Sequence, residues 1–313
     1  MSQQQHQSRR RFIALSAAAL AWPAGARAAA PAARWQGRAL GAEASMVLAG
    51  VAGDEAQAIF ADVAAEVARQ EAIFSLHRAG SALAQLNRDG ELPTPPPEML
   101  ELLGLCATLH RKTGGAFDPS VQPLWMLHAR AAERGSRPDA AAVATARACV
   151  GFGHVRFGPE AVRFARPGMA LTLNGIAQGY IADRISDLLR ARGFGDVLVN
   201  MGEVVGNGRR PDGGPWQAGI AGPDGALVGR TALSDRALAT SAPQGTLLDA
   251  AGRVGHIIDP LTGRPGGRWR VVSISAPRAA LADGLSTAFC LMDAPDIHAT
   301  LAGQPETRVE TLI

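Results

Sequence analysis

The sequence predicts an α+β protein, with helices crowding the first half of its 313 residues and strands the second. Three observations carry that reading. Segments 54–74 and 95–115 place apolar residues at helical spacing. Beyond residue 150, short β-branched or alternating runs bounded by Gly and Pro take over. The two kinds of segment do not alternate as a doubly wound parallel sheet demands. The expected architecture is one domain of mixed or antiparallel sheets with flanking helices.

The N-terminal stretch is read apart from the fold. "SRRRFIALSAAALAWPAGARA" has the arginines, short apolar run and small-residue ending of an export signal, with Ser8-Arg9-Arg10-Arg11-Phe12-Ile13 matching the twin-arginine pattern and Ala26-Arg27-Ala28 offering a cleavage site. A membrane anchor is the competing reading. Pro23 interrupts the apolar run before it is long enough to span a bilayer, and no later segment has that length. The expected division is a signal at 1–28, a linker at 29–33 and a folded domain at 34–313, exported to the periplasm. Removing the signal takes away four arginines and no acids, so the formal charge goes from +3 to −1. A nucleic-acid partner thereby loses its electrostatic support. Cys106, Cys149 and Cys290 have no metal-ligand spacing and read as three small buried thiols.

Element by element, "RWQGRALGAEASMVLAGV" reads as extended chain broken by glycines. In "DEAQAIFADVAAEVARQEAIF", Ile59, Val63 and Val67 recur on one helical face behind two leading acids. "SLHRAGSALAQLNRDG" is a loop and short helix. "PPPEMLELLGLCATLHRKTGG" is a helix opened by prolines and closed by Gly114. "AFDPSVQPLW" is a loop with two prolines, and Ala-rich helices follow to Val150. "HVRFGPEAVRFARPGMALTLN" reads as a strand ladder turning at Gly158 and Pro167-Gly168. Ile176, Tyr180, Ile181, Ile185, Leu188 and Leu189 then line a helix, with Asn174 as its expected N-cap and Gly193 its end. "DVLVNMGEVVGNG" reads as one strand. "WQAGIAGP", "RALATSA", "GHIIDP" and "WRVVSISAP" read as four more, before a helix over 279–292.

The common catalytic signatures are missing. "GFGHVRFG" lacks GxGxxG spacing, and no Walker A, HExxH or GxSxG pattern occurs. What remains is a set of two-sided observations. Asp283 and Thr287 stand four apart on a predicted helix, with Ser286 beside them. That oxygen set suits a hard cation such as Mg²⁺. It equally suits a dipole-complementing Asp and a back-bonding Thr. In "TLNGIAQGY", Gly175 and Gly179 either clear the way for an anion at a helix N-terminus or serve the turn and helix–strand packing. His256 is placed as a general base or as a solvent-facing strand residue. Asp118 before a proline reads most simply as a turn residue.

Taken together and in order, "FSLHRAGSALAQLN", "GGAFDPSVQPLW", "LTLNGIAQGYIADRISDLLRARGFGDVLVNMGEV", "LATSA", "GHIIDPLTGRP" and "SISAPRAALADGLSTAFCLM" closely resemble the ApbE family of FAD:protein FMN transferases, from about Arg34 to about Met292. The leader and "LTLNGIAQGY" look like the NosX branch associated with nitrous oxide reductase maturation. The resemblance implies an ApbE-like α+β domain and a Mg²⁺-dependent transfer of FMN from FAD onto a Ser or Thr hydroxyl of a partner flavoprotein, with release of AMP. It implies metal ligands at Gly175, through its carbonyl, Asp283 and Thr287, with Ser286 at a further ligand position. It implies FAD contacts at Leu40, His77, Ala116, Phe117, Asp118, Thr172, Gln178 and Ile257, and a proton acceptor at His256. The usual family pattern is nearer "LDLGAIAKGY"; here Thr172, Asn174, Gly175 and Gln178 stand in place of Asp, Gly, Ala and Lys. One anion and one cation are lost together, so the local charge balances. His77 stands where an aromatic often stacks on the flavin. Two other readings compete: an FAD pyrophosphatase using water as acceptor, and a non-catalytic FAD-binding assembly factor.

Overall fold

A hairpin opens the fold. Strands β1 (Ala32–Ala39) and β2 (Ala42–Ala49) pair antiparallel across Leu40-Gly41. Both turn residues have positive φ, 48° and 88°, which is the two-residue turn whose twist matches its strands. The computed structural model describes residues 31–249 and 251–313. The predicted export signal, and the linker up to residue 30, lie outside the described residues; among the described residues, the first strand, β1, starts two residues before the expected domain boundary.

Helix α1 (Gly53–Phe74) buries Ile59, Val63 and Val67 as their spacing demands. Helix α2 (Ala82–Asp89) is capped by Ser81, whose hydroxyl accepts the Ala84 N–H. Strand β3 (Glu91–Pro93) leads to α3 (Pro97–Lys112), which starts on proline. Helices α4 (Gln122–Glu133) and α5 (Ala140–Ala148) follow, then strands β4 (Val155–Phe157) and β5 (Ala161–Phe164), which complete a three-stranded sheet with β3. Helix α6 (Ala177–Ala191) leads to β6 (Val197–Asn200), β7 (Val204–Asn207), the hairpin β8 (Trp216–Ala221) and β9 (Leu227–Leu233), and β10 (Arg236–Ser241). Strand β11 (Val272–Ala276), α7 (Ala279–Phe289), α8 (Ala294–Leu301) and β12 (Arg308–Leu312) complete the described chain.

The main sheet runs β1-β2-β6-β7-β10-β11-β12, and every neighbouring pair is antiparallel. Alternation sorts its side chains. Val197, Val199, Val205 and Ala237 face α1 and α6. Their neighbours Leu198, Val204 and Leu238 face the β8–β9 hairpin with Trp216 and Leu233. Both faces are therefore dry, and three layers result. A larger core gathers α2, α3, α7, β11 and the small sheet around Phe117, Ile176, Leu285 and Phe289.

The α+β class agrees with the sequence reading, as do the helix positions apart from α8, which the sequence does not suggest. Several local expectations do not. "VQPLW" is the first turn of α4, where Pro123 is tolerated because the amide it lacks has no intrahelical partner. Residues 169–173 belong to no strand. Asn174 lies in a turn; α6 is entered through Ile176 without a side-chain cap. Gly193 does follow the helix end with φ 88°. "DVLVNMGEVVGNG" folds as two strands, β6 and β7, joined at Met201–Glu203. "GHIIDP" makes only isolated bridges, Leu247 with Gly255 and Ile258 with Pro265. The three cysteines are free, but Cys149 is half-buried beside Cys106 and Cys290, which are fully buried. Among the described residues, no helix is long and apolar enough to cross a membrane.

Candidate active site

The site is built where α6 and α7 touch. A Cβ at Gly179 would collide with the Ala279 carbonyl and come within 2.7 Å of the Ala280 amide nitrogen, so glycine alone allows this approach. The sequence left Gly179 open between ligand clearance and helix–strand packing; it serves helix–helix packing. One turn further along α6, the buried Asp183 accepts the Ala279 and Ala280 N–H groups at 2.8 and 3.0 Å. It thus caps α7 from a neighbouring helix. Burial pushes the Asp183 carboxyl up to about 6 against the pull of Arg278, whose Nε lies 3.5 Å away. These contacts fix how far α7 stands from α6.

That register brings the predicted metal ligands together. Asp283 Oδ2 accepts the Gly179 N–H at 3.1 Å. The Gly175 backbone abuts Thr287, and a Cβ at Gly175 would lie 2.9 Å from Thr287 Oγ1. Ser286 is fully buried, and its hydroxyl donates to the Asp283 carbonyl at 2.9 Å. Ser241, at the end of β10, has its Oγ 2.8 Å from Ser286 Oγ and 3.4 Å from Thr287 Oγ1. Burial is the main force pushing the Asp283 carboxyl up to about 7; the Gly179 N–H opposes it, and Asp183 adds to it. Glu203 on the β6–β7 turn is raised well above the carboxylate range by burial and by Asp283, while the Thr240 N–H at 3.2 Å counteracts this. No cationic side chain pairs with Asp283 among the described residues.

The other expected positions fall into groups around this centre. A Cβ at Gly284 would meet Ile176 at 3.4 Å and Phe117 at 3.5 Å, so the Ala116–Phe117–Asp118 segment lies against α7. The Thr172 N–H donates to the Pro119 carbonyl at 2.8 Å, joining 116–119 to the entrance of α6. The Thr172 hydroxyl accepts the Asn174 N–H at 3.3 Å. Asp118 accepts the Ser120 N–H at 2.8 Å, the turn role its sequence suggested, and also the Phe152 N–H at 3.1 Å from a distant part of the chain. A cleft of about 430 Å³ opens beside it, lined by His110, Gly115, Gly151 and Leu261 among others. Gln178 lies over Gly202 at the β6–β7 turn. Ile257 is buried in the same core as Phe117 and Ile176.

His256 is held against the loop that follows β10. Its backbone N–H and its Nδ1 both reach the Thr246 carbonyl, at 3.1 and 3.2 Å. A carbonyl only accepts, so this contact places the proton of a neutral ring on Nδ1, and the Pro243 backbone is a second partner of the ring. Burial holds the His256 pKa below its ordinary value. Gly255 packs directly on the Pro243 carbonyl, in the loop that begins at Ser241. Leu40 and His77 sit at the far end of α1. The Leu40 N–H donates to Glu71 Oε1 at 2.9 Å, and the exposed His77 donates its N–H to Ser75 Oγ at 3.2 Å. Phe74 beside them packs edge-on against Tyr180 of α6 at 5.6 Å.

The donor set fits a hard cation: one carboxylate, one hydroxyl and one backbone carbonyl supply only oxygen, and the carboxylate is buried without a counter-charge. Among the described residues no group of three or more His, Cys, Asp or Glu side chains is placed to hold a metal ion. A cation here would depend on hydroxyl and backbone oxygens beside the Asp283 carboxylate. Sequence reasoning missed Asp183, Gly202, Glu203 and Ser241. Asp183 did leave a signal, as an acid on the apolar face of α6.

A sequence profile of the ApbE family matches residues 40–313. The chain belongs to the ApbE family. An FAD:protein FMN transferase of Treponema pallidum is 34% identical over 75% of this chain and 71% of its own. One of Klebsiella pneumoniae is 28% identical over 82% of this chain and 77% of its own. Among solved structures, the apo flavinyl transferase ApbE of Pseudomonas stutzeri superposes with TM-score 0.74 at 27% identity, covering 87% of each chain. This ApbE chain is accordingly a flavin transferase, with FAD as the flavin donor.

Proposed function

We propose that this transferase joins FMN to a Ser or Thr hydroxyl of a partner flavoprotein with the aid of Mg²⁺. The observation that carries the reading is the convergence of Gly175, Gly179, Asp283 and Thr287 at one helix–helix contact. Asp283, the Thr287 hydroxyl and the Gly175 carbonyl would hold the ion, with Ser286 the further candidate ligand. A bound Mg²⁺ supplies Lewis-acid neutralisation of diphosphate charge. The FAD contacts are assigned to Leu40, His77, Ala116, Phe117, Asp118, Thr172, Gln178 and Ile257. The acceptor hydroxyl oxygen forms a bond to the FMN phosphorus, the phosphoanhydride bond to AMP breaks, and the hydroxyl proton passes to Nε2 of His256. AMP leaves with its phosphate negatively charged. The neutral His256 that burial favours is the form able to take that proton. Thr172 and Gln178 keep the local charge of the family's acid–base pair while replacing it with neutral hydrogen-bonding groups.

The leader and the form of "LTLNGIAQGY" support twin-arginine export and a periplasmic acceptor in respiratory electron transfer, of the kind matured in the nitrous oxide reductase system. The test combines purified protein, FAD, Mg²⁺ and a target domain bearing the acceptor threonine. The expected product is the target carrying one FMN less one water by mass, formed only with the metal, and not formed by Asp283→Ala. FMN and AMP appearing equally fast without a target would instead establish hydrolysis. N-terminal sequencing of the mature chain tests export; a start after Ala28 is expected.

A further inference from the structure

Ser241 is the last residue of β10, and its hydroxyl faces α7 rather than a neighbouring strand. The strand end is held firmly. The Thr240 N–H donates to Glu203, and the Thr240 hydroxyl lies 2.9 Å from Ser273 Oγ. A hydroxyl has one proton to give. Ser286 spends its proton on the Asp283 carbonyl. The 2.8 Å contact between Ser286 and Ser241 is therefore donated by Ser241. That leaves the Ser241 oxygen as the acceptor facing Thr287 Oγ1. Donation runs in one direction: Thr287 to Ser241, Ser241 to Ser286, Ser286 to the Asp283 carbonyl.

The direction matters for Thr287. A helical threonine divides between two χ1 rotamers, one of which turns its hydroxyl to the carbonyl of the preceding turn. Ser241 offers Thr287 a different acceptor. With its proton aimed there, the Thr287 oxygen keeps its lone pairs for the side where the Gly175 backbone abuts.

We propose that Ser241 is a positioning residue, fixing the Thr287 hydroxyl as a cation ligand, and that Ser286 serves this relay instead of coordinating the ion. The proposal rests on the cation site assigned above. It also explains why a fully buried serine stands next to Thr287: Ser286 fixes the sense of donation by anchoring the far end of the relay.

The experiment titrates Mn²⁺ into the FAD-loaded protein and reads free ion by electron paramagnetic resonance. Asp283→Ala is expected to lose tight binding. Ser241→Ala should weaken it about tenfold, as loss of a ligand-orienting partner does, and Ser241→Thr, which keeps the hydroxyl, should restore it. In a Thr287→Ala background, Ser241→Ala should have no further effect, since its action passes through Thr287. Wild-type Mn²⁺ affinity in Ser241→Ala, with binding still lost in Asp283→Ala, overturns the proposal and leaves the cation site standing. So does an additive effect in the Thr287→Ala background, which marks a general structural role. Failure of the unmodified protein to bind Mn²⁺ overturns the cation site itself, and the relay with it.

Discussion

Gly175 and Thr287 leave no room for a methyl group between them: a Cβ on Gly175 would stand 2.9 Å from Thr287 Oγ1. Real Cβ atoms do not approach that closely, so any side chain at 175 must displace Thr287. Gly175→Ala is expected to raise the Mg²⁺ concentration needed for half-maximal transfer by about tenfold, the scale of a misoriented ligand. Thermal stability should barely change, because Thr287 is near the edge of its core. A metal titration of the transfer rate, with a melting curve alongside, checks both.

Asp283 sets function against stability. Its carboxyl is pushed up to about 7 by burial, above the ordinary 3.8. A folded-state pKa above the unfolded one gives stability that is complete below the unfolded value and lost as pH rises through the folded value. The metal-free protein should therefore lose stability between about pH 4 and pH 7 through this group, on the order of a few kcal/mol. Added Mg²⁺ should return it by binding the folded form alone. Asp283→Asn should abolish the metal effect, melt higher than the parent at pH 8 in chelator, and lower transfer by about a hundredfold or more. Melts at pH 5 and pH 8, with and without Mg²⁺, read each part.

His256 predicts the acid limb of the rate profile. Burial lowers its pKa from the ordinary 6.5, so the neutral ring persists through neutral pH. The parent's kcat/KM should stay level at neutral pH and fall only below 6.5, where Nε2 becomes protonated. His256→Ala should reduce the rate about a hundredfold and flatten that limb. An unchanged limb in the variant would remove His256 from the proton-transfer role.

Gly202 tests the flavin side. It has φ 105°, and a Cβ there would press to 2.7 Å from Gln178 Cδ. Gly202→Ala must both strain the β6–β7 turn and shift Gln178. Weaker FAD binding is expected, with a melting point a few degrees lower. Fluorescence titration with FAD distinguishes a shifted Gln178 from a misfolded turn, because Gln178→Ala should reproduce the affinity loss without the change in melting.

The legible parts of this molecule are those where a local rule and a tertiary contact agree. Asp283 and Thr287 share a helical face by spacing alone, and α7 forms where the sequence puts it. Tyr180, Ile181 and Ile185 are buried as their period requires. What spacing does not encode is which surface meets that face. The Gly175–Thr287 contact and the cap that Asp183 places on α7 each join residues about a hundred positions apart, and family resemblance, not periodicity, indicated the first. Met201–Glu203 reads as mid-strand because Val197–Val199 before it and Val204–Val205 after it are apolar; the break rests on Gly202 adopting positive φ. "GHIIDP" has strand-like residues but only isolated bridges, since its neighbours are loops. Strands β3, β9 and β12 and helix α8 carry patterns too weak to predict them.

The strand order has a bearing on how the enzyme comes into being. One edge of the main sheet is the hairpin strand β1 and the other is β12, and the strands between them follow in chain order. Thr287 cannot meet Gly175 until α7 has a sheet to rest on, and that sheet lacks its last edge until residue 312 is available. During vectorial synthesis, the polypeptide must emerge from the ribosome almost whole before any flavin can be gripped. No shortened amino-terminal fragment would be a half-active transferase.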